Sequence, residues 1–166
     1  MTEGSVLFKW LVLLAIVGLV CLAGLLALVR REMHVAQGDE IVWEEVFGFS
    51  VLEHRTEKRI GDVEPKGVFH VVRLEVRNHA ERVSYPLDNH RVFLRDEDGV
   101  VYPVDAAAER VLDPTWPQRT AIAQGTTFSS ELAFDVPQEK KRLRLGISWG
   151  GPLIDMVLGP KDIALR

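Results

Sequence analysis

The hydrophobic rhythm of the chain changes once, at Arg30-Arg31. Before that pair, WLVLLAIVGLVCLAGLLALV runs from Trp10 to Val29, twenty residues without a charge. Coiled as an α-helix it measures about 30 Å, the thickness of a bilayer's hydrocarbon core. Trp10 suits an interface, and Lys9 and Arg30-Arg31 bound the run, so residues 10–29 are predicted to form one transmembrane helix. This divides the chain into a flank at 1–9, the helix at 10–29, a short tether at 30–40 and a separate domain at 41–166.

In that domain apolar residues recur at period two, the mark of strands with one buried face. In GVFHVVRLEVRN, Val72, Leu74 and Val76 alternate with Arg73, Glu75 and Arg77, and Asn78 opens a polar turn. HRVFLRDEDGVVYPV reads as a hairpin with Val92 and Leu94 on one face and its tight turn at Asp98-Gly99. TTFSSELAFDVP sets Phe128, Ser130, Leu132, Phe134 and Val136 on one face before Pro137 stops the strand. KRLRLGISWG selects Leu143, Leu145, Ile147 and Trp149, and IVWEEVFGFSVLEH selects Phe47, Phe49 and Val51. One or two short strands surround Gly159-Pro160. DAAAERVL is the one helical stretch, with Asp105 as N-cap and Pro114 closing it. Seven or more short strands spaced by turns predict an all-β, antiparallel sandwich.

VRLEVRNHAE, FLRDEDGVVY, the step Gly125-Thr126 and LAFDVP occur in that order over roughly residues 41–149. In this the chain resembles a bacterial family of telokin-like, immunoglobulin-like domains of unknown function. Its members occur in exported lipoproteins and behind single membrane anchors. The resemblance implies an immunoglobulin-like β-sandwich on the extracytoplasmic side, periplasmic or extracellular, and carries no catalytic residue across. The family usually has Pro before the Gly, where this chain has Gln124.

Charge and composition narrow the function. Glu3, Lys9, Arg30 and Arg31 are the charged residues before Glu32. The remaining 17 bases and 23 acids give residues 32–166 a formal charge of −6, which repels nucleic acid. Cys21 is the single cysteine, so no internal disulfide forms. Val20 before it breaks a lipoprotein signal, and Cys21-Leu22-Ala23 leaves a signal-peptide cut before Gly24 as the competing reading. The apolar run continues past that cut, which favours a retained anchor. Lys9 against Arg30-Arg31 leaves the positive-inside rule nearly tied.

Within the helix Ala15, Gly18, Cys21, Gly24 and Ala27 put small residues at spacing three, and so trace a slanting groove into which a neighbouring helix could pack. The plain alternative is that Gly and Ala are common in membrane helices.

A search for chemistry finds little. None of the five histidines pairs with another at the spacing that fixes two metal ligands on one element. His90 with Asp88 is the nearest arrangement, and a solvated strand start explains it; His70 reads as a hydrogen-bonded core histidine. Asp96-Glu97-Asp98-Gly99 resembles half a calcium loop, but Leu94 would fall at the first ligand position, so a hairpin turn explains the run. Neither a phosphate loop nor a nucleophile elbow occurs, and the sequence implies no cofactor, no metal and no enzyme. Trp116 in LDPTWPQ is a candidate partner contact, unless it caps the open end of the sandwich.

The expectation is therefore a non-enzymatic, single-pass accessory subunit of the cell membrane. Its helix would dock on other membrane protein subunits of a respiratory, photosynthetic, transport or envelope complex. The alternative is an envelope module that binds a ligand or peptide.

Overall fold

The computed structural model describes residues 16–20, 34–43, 46–88, 91–113, 119–148 and 161–165. The chain divides into two units, residues 1–32 with 150–159 and residues 33–149 with 160–166. In the first, residues 16–20 are helical and exposed. Among the described residues no helix is long and apolar enough to cross a membrane. The rest of the 10–29 segment, including Ala15, Cys21, Gly24 and Ala27, lies outside the described residues.

The second unit is built from strands. They are β1 (His34–Ala36), β2 (Glu40–Trp43), β3 (Phe47–Glu57), β4 (Val68–Asn78), β5 (Tyr85–Asp88), β6 (Val92–Arg95), β7 (Val101–Pro103), β8 (Arg119–Ile122), β9 (Thr127–Val136), β10 (Arg144–Ile147) and β11 (Lys161–Ala164), with one helix, α1 (Ala106–Leu112). One sheet has the order β1-β11-β10-β6-β7, a second β2-β3-β4-β9, and β5-β8 form a two-stranded third. The stretch 30–40 thus holds β1 and the first residue of β2 as well as the chain between them.

The two larger sheets enclose the core, because the period-two apolar faces of both must leave water together. Phe49, Val51, Val72, Leu74, Val76, Leu132, Phe134 and Val136 from one meet Val92, Leu94, Leu145, Ile147 and Ile163 from the other. Tyr85 covers the edge, its ring 4.6 Å from Phe47 and 5.6 Å from Phe49, and burial pushes its hydroxyl up to about 12. One pairing departs from the antiparallel expectation: β1 runs parallel to β11. Adjacent hairpin strands must be antiparallel, but these are the first and last strands of the domain, and no short turn dictates their direction.

The strand β4 departs from simple alternation. Its second half is buried on one face as expected, yet Phe69, His70, Val71 and Val72 are buried in succession. The second face is covered by α1, where Phe69, Val71 and Ala133 pack with Ala108, Ile60, Val63 and Leu112. Asp105 caps that helix as expected, accepting from the Ala107 and Ala108 amides at 2.9 Å each. Beyond the helix the same face turns polar, with Arg55 gripping Glu131 through two bonds of 2.7 and 2.9 Å.

The expected hairpin forms between β6 and β7, with Leu94 opposite Tyr102 and Gly99 at φ +82° in its turn. Asp96, 5% exposed, organises that turn. Its carboxylate accepts from the Asp98 and Val100 amides and the Tyr102 hydroxyl, and Lys140 Nζ lies 3.0 Å away. Burial alone would raise its pKa, but the hydrogen bonds from Lys140, the Val100 amide and Tyr102 outweigh that and hold it at about 2.

Asn78, read from the sequence as the start of a turn, is the fully buried last residue of β4. Its side-chain amide donates to the Val83 and Ile122 carbonyls at 2.8 and 3.0 Å, and its oxygen accepts from the Ala80 amide at 2.9 Å. Its backbone bonds both Gly125 and Thr126, where Gly125 takes φ +69°, a conformation that favours glycine. Asn78→Ala leaves the two carbonyls and the Ala80 amide without this partner, and is expected to cost about 2–3 kcal/mol. Urea denaturation of the full chain in detergent measures this, and a change below about 0.5 kcal/mol would show that other groups hold these loops.

Candidate functional site

A β-bulge in β3 brings two histidines together. Through Val51 the strand β3 sends its odd-numbered residues to the core, with Phe49 opposite Val76 and Val51 opposite Leu74. Then the register shifts, so that Glu53 faces Arg73 and Leu52 is the extra residue, 47% exposed. After the bulge the even-numbered residues face the core side: His54 opposite Val72, and Thr56 opposite His70. Without it His54 would fall on the opposite face from His70, since strand side chains alternate.

The two histidines therefore lie diagonally on neighbouring strands and the same face. His54 Nε2 and His70 Nδ1 are 2.9 Å apart, one donating its N–H to the other, and the rings lie 16° from parallel. His70 is 7% exposed; burial, and then the neighbouring charge of a protonated His54, lowers its pKa to about 4. It is neutral at pH 7. The core-histidine expectation for His70 was thus correct about its burial and bonding, but its partner was not legible from spacing along the chain.

His70 borders a cleft of about 750 Å³ at the end of the sandwich, lined also by Thr56, Glu64, Gly67, Gln138 and Lys141. Lys140, on the same wall, is tied to Asp98 at 2.6 Å and to Asp96. The Lys66 and Gly67 amides donate to Asp135 at 2.8 and 3.0 Å, which pins the loop entering β4 against the end of β9. Among the described residues no three His, Cys, Asp or Glu side chains gather as a metal-holding group. Trp116, His90 and the docking row other than Gly18 lie outside the described residues, as does the side chain of Asp88.

The model of a domain of unknown function, DUF4352, matches residues 44–153. The chain belongs to this family. Three solved structures share the DUF4352 domain's fold. One is a secreted protein of Mycobacterium tuberculosis, MPT63, at 17% identity and TM-score 0.56, covering 81% of this chain and 97% of that one. The yjhA protein of Bacillus subtilis follows at 12% and 0.58, covering 80% and 99%. A conserved hypothetical protein of Bacillus anthracis matches at 20% and 0.53, covering 67% and 87%. At these identities the likeness is one of fold. No curated protein matches the chain. The immunoglobulin-like extracytoplasmic resemblance fits the DUF4352 family loosely, as a β-sandwich domain of unknown function.

Two expectations follow from the cleft. Because the His70 pKa falls from 6.5 to about 4 on folding, the unfolded chain binds its proton first. The stability this ring contributes is complete above pH 6.5 and is lost as the pH falls towards 4, by at most about 3 kcal/mol. Denaturation midpoints at pH 7 and 4.5 should fall more for the unaltered chain than for His70→Gln; equal falls would remove His70 as the cause. A Cβ on Gly67 would run into the Val136 carbonyl and the Pro137 Cα, backbone atoms that cannot step aside. Gly67→Ala is expected to destabilise by about 1–3 kcal/mol, read as a lower Tm, and an unchanged Tm would contradict it.

Proposed function

We propose that the protein is a non-enzymatic, single-pass accessory subunit of a larger membrane complex, with its sandwich on the extracytoplasmic side. Residues 10–29 are the membrane helix, and the row Ala15, Gly18, Cys21, Gly24 and Ala27 packs on a helix of the complex. The observation that carries this reading is the start of the folded domain. Strand β1 begins at His34, five residues after Val29, which leaves at most about 17 Å of extended chain between the apolar segment and the first strand. A domain joined so closely to its anchor works at the bilayer surface, beside whatever the helix touches. The secreted M. tuberculosis protein of the same fold supports the extracytoplasmic side. Trp116 is the proposed contact from the domain to that partner.

A second reading, a ligand- or peptide-binding module of the envelope, is favoured by the cleft beside His70.

The accessory-subunit reading is tested on membranes solubilised in mild detergent and resolved on native gels. The protein should migrate within a larger assembly, and Gly18→Leu with Gly24→Leu should release it. Among the described residues nothing lies within 4 Å of a Cβ on Gly18. An unaltered chain that migrates alone would overturn the reading.

A further inference from the structure

We infer that the cleft beside His70 binds a small organic molecule through a single carboxylate, held by the His70 ring and by Lys58 and Lys141. This rests on the ligand-binding reading of the domain and is independent of the anchored one. His70 is 7% exposed and borders the cleft. Its Nδ1 is already engaged, 2.9 Å from His54 Nε2. Its Nε2 has no partner in the chain, yet it is not sealed from solvent. The fold thus fixes one side of a nearly buried imidazole and leaves the other open to a cavity. Polar atoms so deeply placed are normally hydrogen-bonded, and a ligand atom in the cleft supplies what this one lacks. The ring is neutral at pH 7 and carries one N–H. When His54 donates to Nδ1, that N–H is on Nε2, and a carboxylate that accepts it selects this tautomer.

The charges on the wall point the same way. Lys58, Lys140 and Lys141 stand against Glu57 and Glu64, a formal +1 in a domain of formal charge −6. Two of these five are spent within the protein. Lys140 is held by Asp96 and Asp98, and Glu57 accepts from Arg55 at 3.3 Å. Lys58, Lys141 and Glu64 hold no partner in the chain, so the charge left to a ligand is again +1. One carboxylate matches it. A phosphate dianion fits less well, because among the described residues no arginine fork lines the cleft. The Lys66 and Gly67 amides, which could have cradled such a group, are taken by Asp135. Half-buried Pro65 and Val68 offer an apolar body some contact, and a volume of about 750 Å³ is that of a small-molecule site.

The test follows the full chain in uncharged detergent at pH 7 by ¹⁵N NMR. The His70 imidazole signal, assigned by its loss in His70→Gln, reports the ring, and the Thr56 and Val68 amides report the cleft. Four probes of one shape are titrated: benzoate, benzamide, phenyl phosphate and benzylammonium. Benzoate should shift the His70 signal and both amides saturably. Benzamide should bind about tenfold more weakly, since a charge-assisted hydrogen bond is roughly twice as strong as a neutral one. Lys58→Gln with Lys141→Gln, both at exposed positions, should weaken benzoate about fivefold and leave the fold intact. The inference is overturned, with the ligand-binding reading left standing, by any of three results. Benzoate binds no better than benzamide or benzylammonium, or more weakly than phenyl phosphate; it moves the amides but not His70; or it ignores the lysine changes. If none of the four probes moves a cleft signal, both the inference and that reading fail.

Discussion

Successive side chains of a strand must leave opposite faces, and β4 uses that constraint to serve two cores at once. Val72, Leu74 and Val76 point into the space between the sheets, while Phe69 and Val71 point away from it and need a cover of their own. The helix α1 is that cover, held by its cap at Asp105 and by the Asp105 amide bonded to the Ala133 carbonyl. Both long neighbours of β4, β3 and β9, pair with it over ten residues each, so a slip in its register would misplace both cores together.

The polar groups that the sandwich buries are mostly consumed by the fold. Asn78 ties the end of β4 to the loops at residues 80–83 and 122–126, and Asp96 ties its hairpin turn to Tyr102 and Lys140. A buried amide or carboxylate without such partners would cost more than it contributes, and Asn78 and Asp96 are both surrounded by donors or acceptors from their own chain. Asp96 is for this reason a structural residue: its oxygens already hold two amides, a hydroxyl and an ammonium. The His54–His70 bond differs in kind, because it joins two groups that can each accept or donate, and one of them, His70, borders a cleft.

Most of the sandwich was legible because periodicity reports a face before any partner is known. Phe47, Phe49, Val51, Leu132, Phe134, Leu145 and Ile147 are buried where alternation places them, and the hairpin at Asp96–Val100 and the helix after Asp105 form where turn and cap chemistry predict them. Three things were not legible. The parallel β1–β11 pair joins the two ends of the domain, and no local pattern encodes such a meeting. The burial of Phe69 and Val71 depends on a helix some forty residues away. Asn78 looked like a turn residue because its type favours turns, and only the arrival of Gly125 and Thr126 shows it to be the staple.

What the sequence determined by itself is the uncharged segment before Arg30, the acidic domain behind it, and the strands, turns and cap that make that domain a sandwich. Each of these follows from local chemistry, in which the identity and spacing of neighbours decide which face is apolar and where the chain turns. What the tertiary structure decided is which distant residues share a face. His54 and His70 are sixteen positions apart, and plain alternation would place them on opposite sides of the sheet. One extra residue, Leu52, moves His54 across to His70, because a strand's side chains have a period of two and a single insertion reverses every position after it.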